Sequence, residues 1–149
     1  METRPTSLAG FFEADHDEVD ALLESVPFED PAAALPLLRE FDRRLERHIV
    51  WEEELLFPAA AQAAPMLGAG PIPVMLDEHS EIRAAKAAAL AALERGDGAA
   101  ARRAIERMTA VLAPHNRKEE MILYPACDDA VPDAAARAVL ERVLREAGK

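Results

Sequence analysis

Six side chains in this sequence have the types and spacings that metal chemistry needs: His16, His48, Glu52, His79, His115 and Glu119. His48 precedes Glu52 by four positions, and His115 precedes Glu119 by four. On an α-helix each pair therefore shares a face, one turn apart. An imidazole beside a carboxylate is half of a metal site. Both segments also end alike, in Leu55-Leu56-Phe57-Pro58 and in Ile122-Leu123-Tyr124-Pro125. The remaining histidines stand in matching settings, Asp15-His16-Asp17-Glu18-Val19 and Glu78-His79-Ser80-Glu81-Ile82. The chain is thus an internal repeat that uses all four of its histidines.

Helices must carry these residues. The first is expected from Leu8 to about Ser25, capped by Thr6 or Ser7, with His16 in the stripe Leu8, Phe12, Val19, Leu23. Asp30-Pro31 starts a second, which runs through Leu37, Leu38, Phe41, Leu45, His48, Glu52, Leu55 and Leu56; Pro58 should kink or end it. The segment from Pro65 to Pro73, with Gly68 and Gly70, reads as a loop joining the halves. A third helix covers about Val74 to Arg95, with Met75, His79, Ile82, Lys86, Leu90 and Leu93 near one line, and Gly96-Asp97-Gly98 stops it. The fourth runs from about Ala99 to Tyr124, with Ile105, Met108, Leu112, His115, Glu119 and Ile122 inward and a bend expected at Pro114. The fold class is therefore all-α: an up-down four-helix bundle over about 6–126, then a short fifth helix over about 132–147, forming a single domain over 1–149. Helices of this length place each histidine near the middle of its rod, so the six side chains meet at one level of the core.

Composition limits the alternatives. At 149 residues and 16.2 kDa the chain suits one core. A net charge of −11 argues against nucleic acid and anionic membrane partners, which need a basic face. No apolar run is long enough for a membrane span, and the first residues lack the order of a signal peptide, so a cytoplasmic protein is expected. The single cysteine, Cys127, reads as a free thiol beside the end of the bundle.

A lone histidine on an apolar face is usually a hydrogen-bonded core residue. Six convergent groups are different, because two buried glutamates without a compensating cation would cost many kcal/mol. The donor set exceeds the closed tetrahedral site of structural zinc and contains no thiolate. Imidazoles with carboxylates that can bridge suit two iron or manganese ions, one on His16 and His48, the other on His79 and His115, with Glu52 and Glu119 between them.

On these residues, and on the two aromatic-proline endings, the chain from about 8 to 126 resembles the hemerythrin-like, or HHE cation-binding, family of non-haem di-iron bundles. The resemblance implies an oxo- or hydroxo-bridged iron pair that reacts with O2, hydrogen peroxide or nitric oxide. It implies a sensor, a scavenger or a slow oxidoreductase; iron handling without turnover and reversible O2 binding are the alternatives. Oxygen-carrying members have two histidines on the third helix, four residues apart. Here Met75 and Arg83 stand in the two places open to the second one, and neither is an ordinary iron ligand.

The remaining polar residues carry smaller expectations. Glu53 and Glu120 point about 100° from the bridging pair on a helical wheel and read as solvated or salt-bridged. Asp20 and Arg83 read as surface residues, or as partners of the ligands or of each other. Trp51 and Tyr124 read as packing residues, with the Tyr124 hydroxyl as a possible influence on the metals.

Overall fold

The computed structural model describes residues 7–149. Four long rods form the bundle. The first is α1 (Leu8–Glu24). The second is α2 (Pro31–Trp51), which passes through a π-helical turn (Glu52–Leu56) into α3 (Phe57–Ala63). A short α4 (Pro65–Ala69) leads to the third rod, α5 (Pro71–Glu94). The fourth is α6 (Gly98–Lys118), which passes through a second π-helical turn (Glu119–Leu123) into α7 (Tyr124–Ala130). The last helix is α8 (Asp133–Glu146). No strand occurs among the described residues.

The helix starts follow from their caps. Ser7 and Asp30 accept hydrogen bonds from the Gly10 and Ala33 amides, and Asp97 accepts one from Ala100. Thr6, the other candidate cap for α1, lies outside the described residues. The α1 start gains a second acceptor from across the bundle, since Asp128 Oδ1 on α7 takes the Leu8 amide at 3.0 Å. The segment read as a loop, Pro65 to Pro73, is helical for most of its length. Pro65 and Pro71 occupy first-turn positions, where a missing N–H costs nothing and the fixed φ favours a helix.

At the end of α5, Gly96 takes φ +79°, with its amide on Leu93 O and the Asp97 amide on Ala92 O. This paired capping pattern needs a left-handed residue. Gly98 is required for another reason: a Cβ there would run into the Phe28 carbonyl oxygen. Gly98→Ala should therefore destabilise the protein by about 1–3 kcal/mol in a thermal melt. Metal content per folded chain should not change, because Gly98 lies at the far end of α6 from His115.

The two π turns correct the expected inward face. In each, the amide of the aromatic residue (Phe57 or Tyr124) bonds the carbonyl five residues back, that of Glu52 or Glu119. The following Pro58 and Pro125 have no N–H, and in an unbroken α-helix their rings would press on the carbonyl four residues back. Widening the preceding turn resolves this without ending the rod. The inserted residue also rotates the helical wheel beyond it. Leu56 and Leu123 turn into the core, while Ile122, expected inward, is 62 % exposed.

The core divides into two apolar clusters. One, around Phe41, Leu45, Ile82 and Met108, fills the far end of the bundle. The other, around Phe12, Trp51, Leu56, Met75 and Tyr124, is closed over by Val139 and Val143 of α8. The Trp51 indole N–H donates to Glu146 at 2.9 Å, which ties α8 to the bundle. Among the described residues, no helix is long and apolar enough to cross a membrane.

Candidate metal centre

The six candidate residues form a polar layer within this core. His16 comes from α1, His48 and Glu52 from α2 and its π turn, His79 from α5, and His115 and Glu119 from α6 and its π turn. None is more than 3 % exposed. Each π turn begins at a central glutamate, so the two places where the helices depart from α geometry lie at the site.

The histidines converge through their Nε2 atoms. Glu52 reaches both halves, with Oε2 at 3.5 Å from His48 Nε2 and Oε1 at 3.1 Å from His79 Nε2. Glu119 does the same with one oxygen, since Oε1 is 3.2 Å from His16 Nε2 and 3.3 Å from His115 Nε2. Two overlapping four-donor groups result, His16–His48–Glu52–Glu119 and Glu52–His79–His115–Glu119. In each, all donor atoms lie within 4.8 Å of one another.

Every histidine is held from behind by a carboxylate on a neighbouring rod. His48 Nδ1 is 2.8 Å from Asp15 and His115 Nδ1 is 3.0 Å from Glu78. His79 Nδ1 is 2.8 Å from Glu53 and His16 Nδ1 is 2.8 Å from Glu120. A proton donated at Nδ1 selects the tautomer whose lone pair is on Nε2, facing the centre. The pattern obeys the repeat. The residue before His16 or His79 serves the histidine of the next His-x-x-x-Glu helix, and the residue after each central glutamate serves a histidine of the opposite half. Arg83 holds Glu53 in turn, and also Glu46, with contacts of 3.1 and 2.7 Å. Lys118 holds Glu78 at 2.7 Å.

Glu53 and Glu120 read from the sequence as solvated or salt-bridged; both are ion-paired, but to histidines of the centre, Glu53 to Arg83 as well, and Asp15 and Glu78 were not singled out. Their recurrence beside the histidines in both halves was the available signal. Arg83 pairs with Glu46 and Glu53, so it fills no ligand place and does not pair with Asp20. Met75, the other candidate for that place, is buried in the core. Trp51 is a packing residue as expected, but Tyr124 does more than pack. Its hydroxyl donates to Glu52 Oε2 at 2.6 Å and lies 3.1 Å from Glu119 Oε1. Cys127 is buried, and burial with Asp128 nearby pushes its thiol up to about 12, so it is not a thiolate donor at neutral pH.

The electrostatics have the sign of a cation site. Burial alone would lower the His48 pKa, but Glu52 and Asp15 outweigh it and raise it to about 10. His115 is raised against its burial by Glu119, Glu52 and Glu78. Glu52 is held well below the carboxylate range against its burial, chiefly by His48. Burial and the two central glutamates drive the Tyr124 phenol well above its ordinary value. One buried acceptor, Glu119 Oε2, has no hydrogen-bond partner among the described residues. An orphaned, buried carboxylate oxygen on a glutamate that belongs to both four-donor groups is an acceptor that a bound cation would satisfy by ligation. The residues therefore fit a metal site.

The sequence model of the hemerythrin HHE cation-binding domain matches residues 7–127, most of the chain and both halves of the repeat. The chain belongs to the hemerythrin HHE cation-binding family. No curated protein and no solved structure matches it. As an HHE domain it has a helical bundle with a buried His/Glu cluster suited to metal.

Proposed function

We propose that this HHE domain holds two iron ions, one on His16 and His48 and one on His79 and His115, bridged by Glu52 and Glu119. The pair binds or reacts with a small oxidant, O2, hydrogen peroxide or nitric oxide, as a sensor, a scavenger or a slow oxidoreductase. The observation that carries this reading is the two four-donor groups sharing both carboxylates. Imidazole and carboxylate donors without thiolate favour iron or manganese over structural zinc. When bound, such a pair supplies redox equivalents and exchangeable positions for a small molecule.

The chain contributes orientation and exclusion. Asp15, Glu53, Glu78 and Glu120 fix the four rings through Nδ1, so little reorganisation is needed on loading. The apolar clusters on both sides keep bulk water from the layer. Tyr124 keeps its proton, because its phenol is raised, and presents it to Glu52 Oε2.

Metal analysis and an optical spectrum of protein made in iron-rich medium test the proposal. About two irons per chain and a charge-transfer band on oxidation are expected. A chain that takes up no iron, or a single zinc, overturns it. Added peroxide then separates the modes: sustained consumption marks turnover, and one stoichiometric reaction marks a sensor or carrier.

A further inference from the structure

The two halves of the centre differ at the aromatic residue that follows each π turn. Phe57 and Tyr124 are equivalent in the repeat, yet only Tyr124 carries an oxygen. That oxygen lies close to all four donors of the His16–His48 half: 3.1 Å from His16 Nε2, 3.2 Å from His48 Nε2, and within 3.1 Å of Glu52 and Glu119. Phe57 instead stacks on the His79 ring, with centroids 5.9 Å apart and planes 11° from parallel. The hydroxyl crowds one half of the centre, while at the equivalent place the other half meets only the Phe57 ring.

A pocket of about 410 Å³, within the size range of small-molecule sites, opens beside the turn of α5 that precedes His79, and apart from Lys118 its lining side chains are apolar. Val74 and Ile122 form its rim, 46 % and 62 % exposed, and the buried Met75 and Leu123 form its floor. Met75 precedes His79 by one helical turn on the same face of α5. The floor of the pocket is therefore one helical turn from His79, and a flexible thioether side chain such as that of Met75 repacks at little cost. Ile122 and Leu123 reach the pocket through the π turn, which rotates one outward and the other inward.

A second opening, on the His16 side, has mixed chemistry. It is the cleft between α1 and α6, about 630 Å³, where the carboxylates Asp17, Asp20 and Glu120 stand among apolar side chains such as Leu23, Leu112 and Met121. A cluster of carboxylates holds water strongly. A nonpolar solute must compete with that water in the mixed cleft, whereas it gains more by leaving water for the almost wholly apolar pocket over Met75.

We propose that nonpolar dissolved gases, the class of O2 and nitric oxide, bind in the pocket over Met75 and reach the His79–His115 half of the centre through it. Only the second clause rests on the di-iron reading, and the binding clause is tested without metal. The probe is xenon, added to full-length metal-free protein carrying ¹³C-labelled methionine methyls. The Met75 methyl resonance should shift with xenon pressure. Met108, equally buried but in the far cluster, should not, and Val74→Trp should abolish the shift.

The iron-loaded protein then tests the route by stopped-flow mixing with nitric oxide. Val74→Trp should slow binding about tenfold, while Leu23→Trp, in the mixed cleft, leaves the rate unchanged. Thermal melts confirm that both variants fold. A Met75 methyl unmoved by xenon overturns the proposal. So does a rate slowed by Leu23→Trp and untouched by Val74→Trp. A xenon response at Met75 in a chain that loads no iron would uphold the binding clause and remove the di-iron reading instead.

Discussion

Replacing Glu119 by glutamine should empty both metal positions together, whereas replacing His16 by alanine should empty one. The difference lies in where the donor atoms stand. Glu119 Oε1 is within 3.3 Å of a histidine from each half, so it belongs to both four-donor groups, while His16 belongs to one. Glutamine keeps the volume and packing of glutamate but not the charge, and an amide is a poor bridge between two cations. Each position would fall from four protein donors to three and lose a neutralising carboxylate at once. Loss of even a supporting partner to a ligand costs about 10–100-fold in metal affinity, so loss of a shared donor should exceed the upper end of that range. Iron per chain should fall from about two to near none in Glu119→Gln, and to about one in His16→Ala. Glu54→Gln, an exposed change in the other π turn, should keep both irons. Elemental analysis of the folded fraction decides it. Two irons retained by Glu119→Gln would remove Glu119 from the metal layer.

The contrast between Glu119 and Ile122 separates what the sequence made legible from what it did not. His48–Glu52 and His115–Glu119 could be read because i, i+4 pairing is a property of one helix, and the repeat supplied the second copy. Ile122 was misread because the same wheel was carried past Glu119 unchanged. The π turn adds a residue there, and the proline that accounts for it looks from sequence like a kink or a stop. Glu53 and Glu120 were legible as salt-bridged residues but not as supports of the centre, for a different reason: on their own helices they point away from the central pair, and their partners, His79 and His16, stand on neighbouring rods. Tyr124 and Phe57 held a signal that went unused. A repeat that keeps its histidines and glutamates but changes one aromatic into a phenol marks the position where its halves cease to be equivalent.

The metal-free and loaded proteins should respond to pH in opposite directions, because a proton and a cation compete for His48 Nε2. In the metal-free chain His48 is raised from its ordinary 6.5 to about 10 by Glu52 and Asp15, against the effect of burial. A group raised in the folded state contributes stability that is fully present below its unfolded value and is lost as pH rises through the folded one. His48 therefore stabilises the metal-free protein below about pH 6.5 and ceases to do so by about pH 10. His115 acts in the same direction. Glu52 and Asp15 are lowered, so their contributions are present above the ordinary carboxylate range and are lost in acid. Metal-free stability should thus be greatest between about pH 4.5 and 6.5, and by pH 10 it should have fallen by several kcal/mol, at roughly 1.4 kcal/mol for each unit by which a group is shifted. Metal binding needs neutral imidazole, so each bound cation releases protons, and its affinity climbs over the same interval. Melting curves at pH 6, 8 and 9.5, with iron(II) under nitrogen and without it, should diverge as the pH rises. If instead the metal-free midpoint holds steady up to pH 9.5, or the gain from iron shrinks with pH, then His48 does not exchange a proton for a cation, and the inward-facing nitrogens are not the binding atoms.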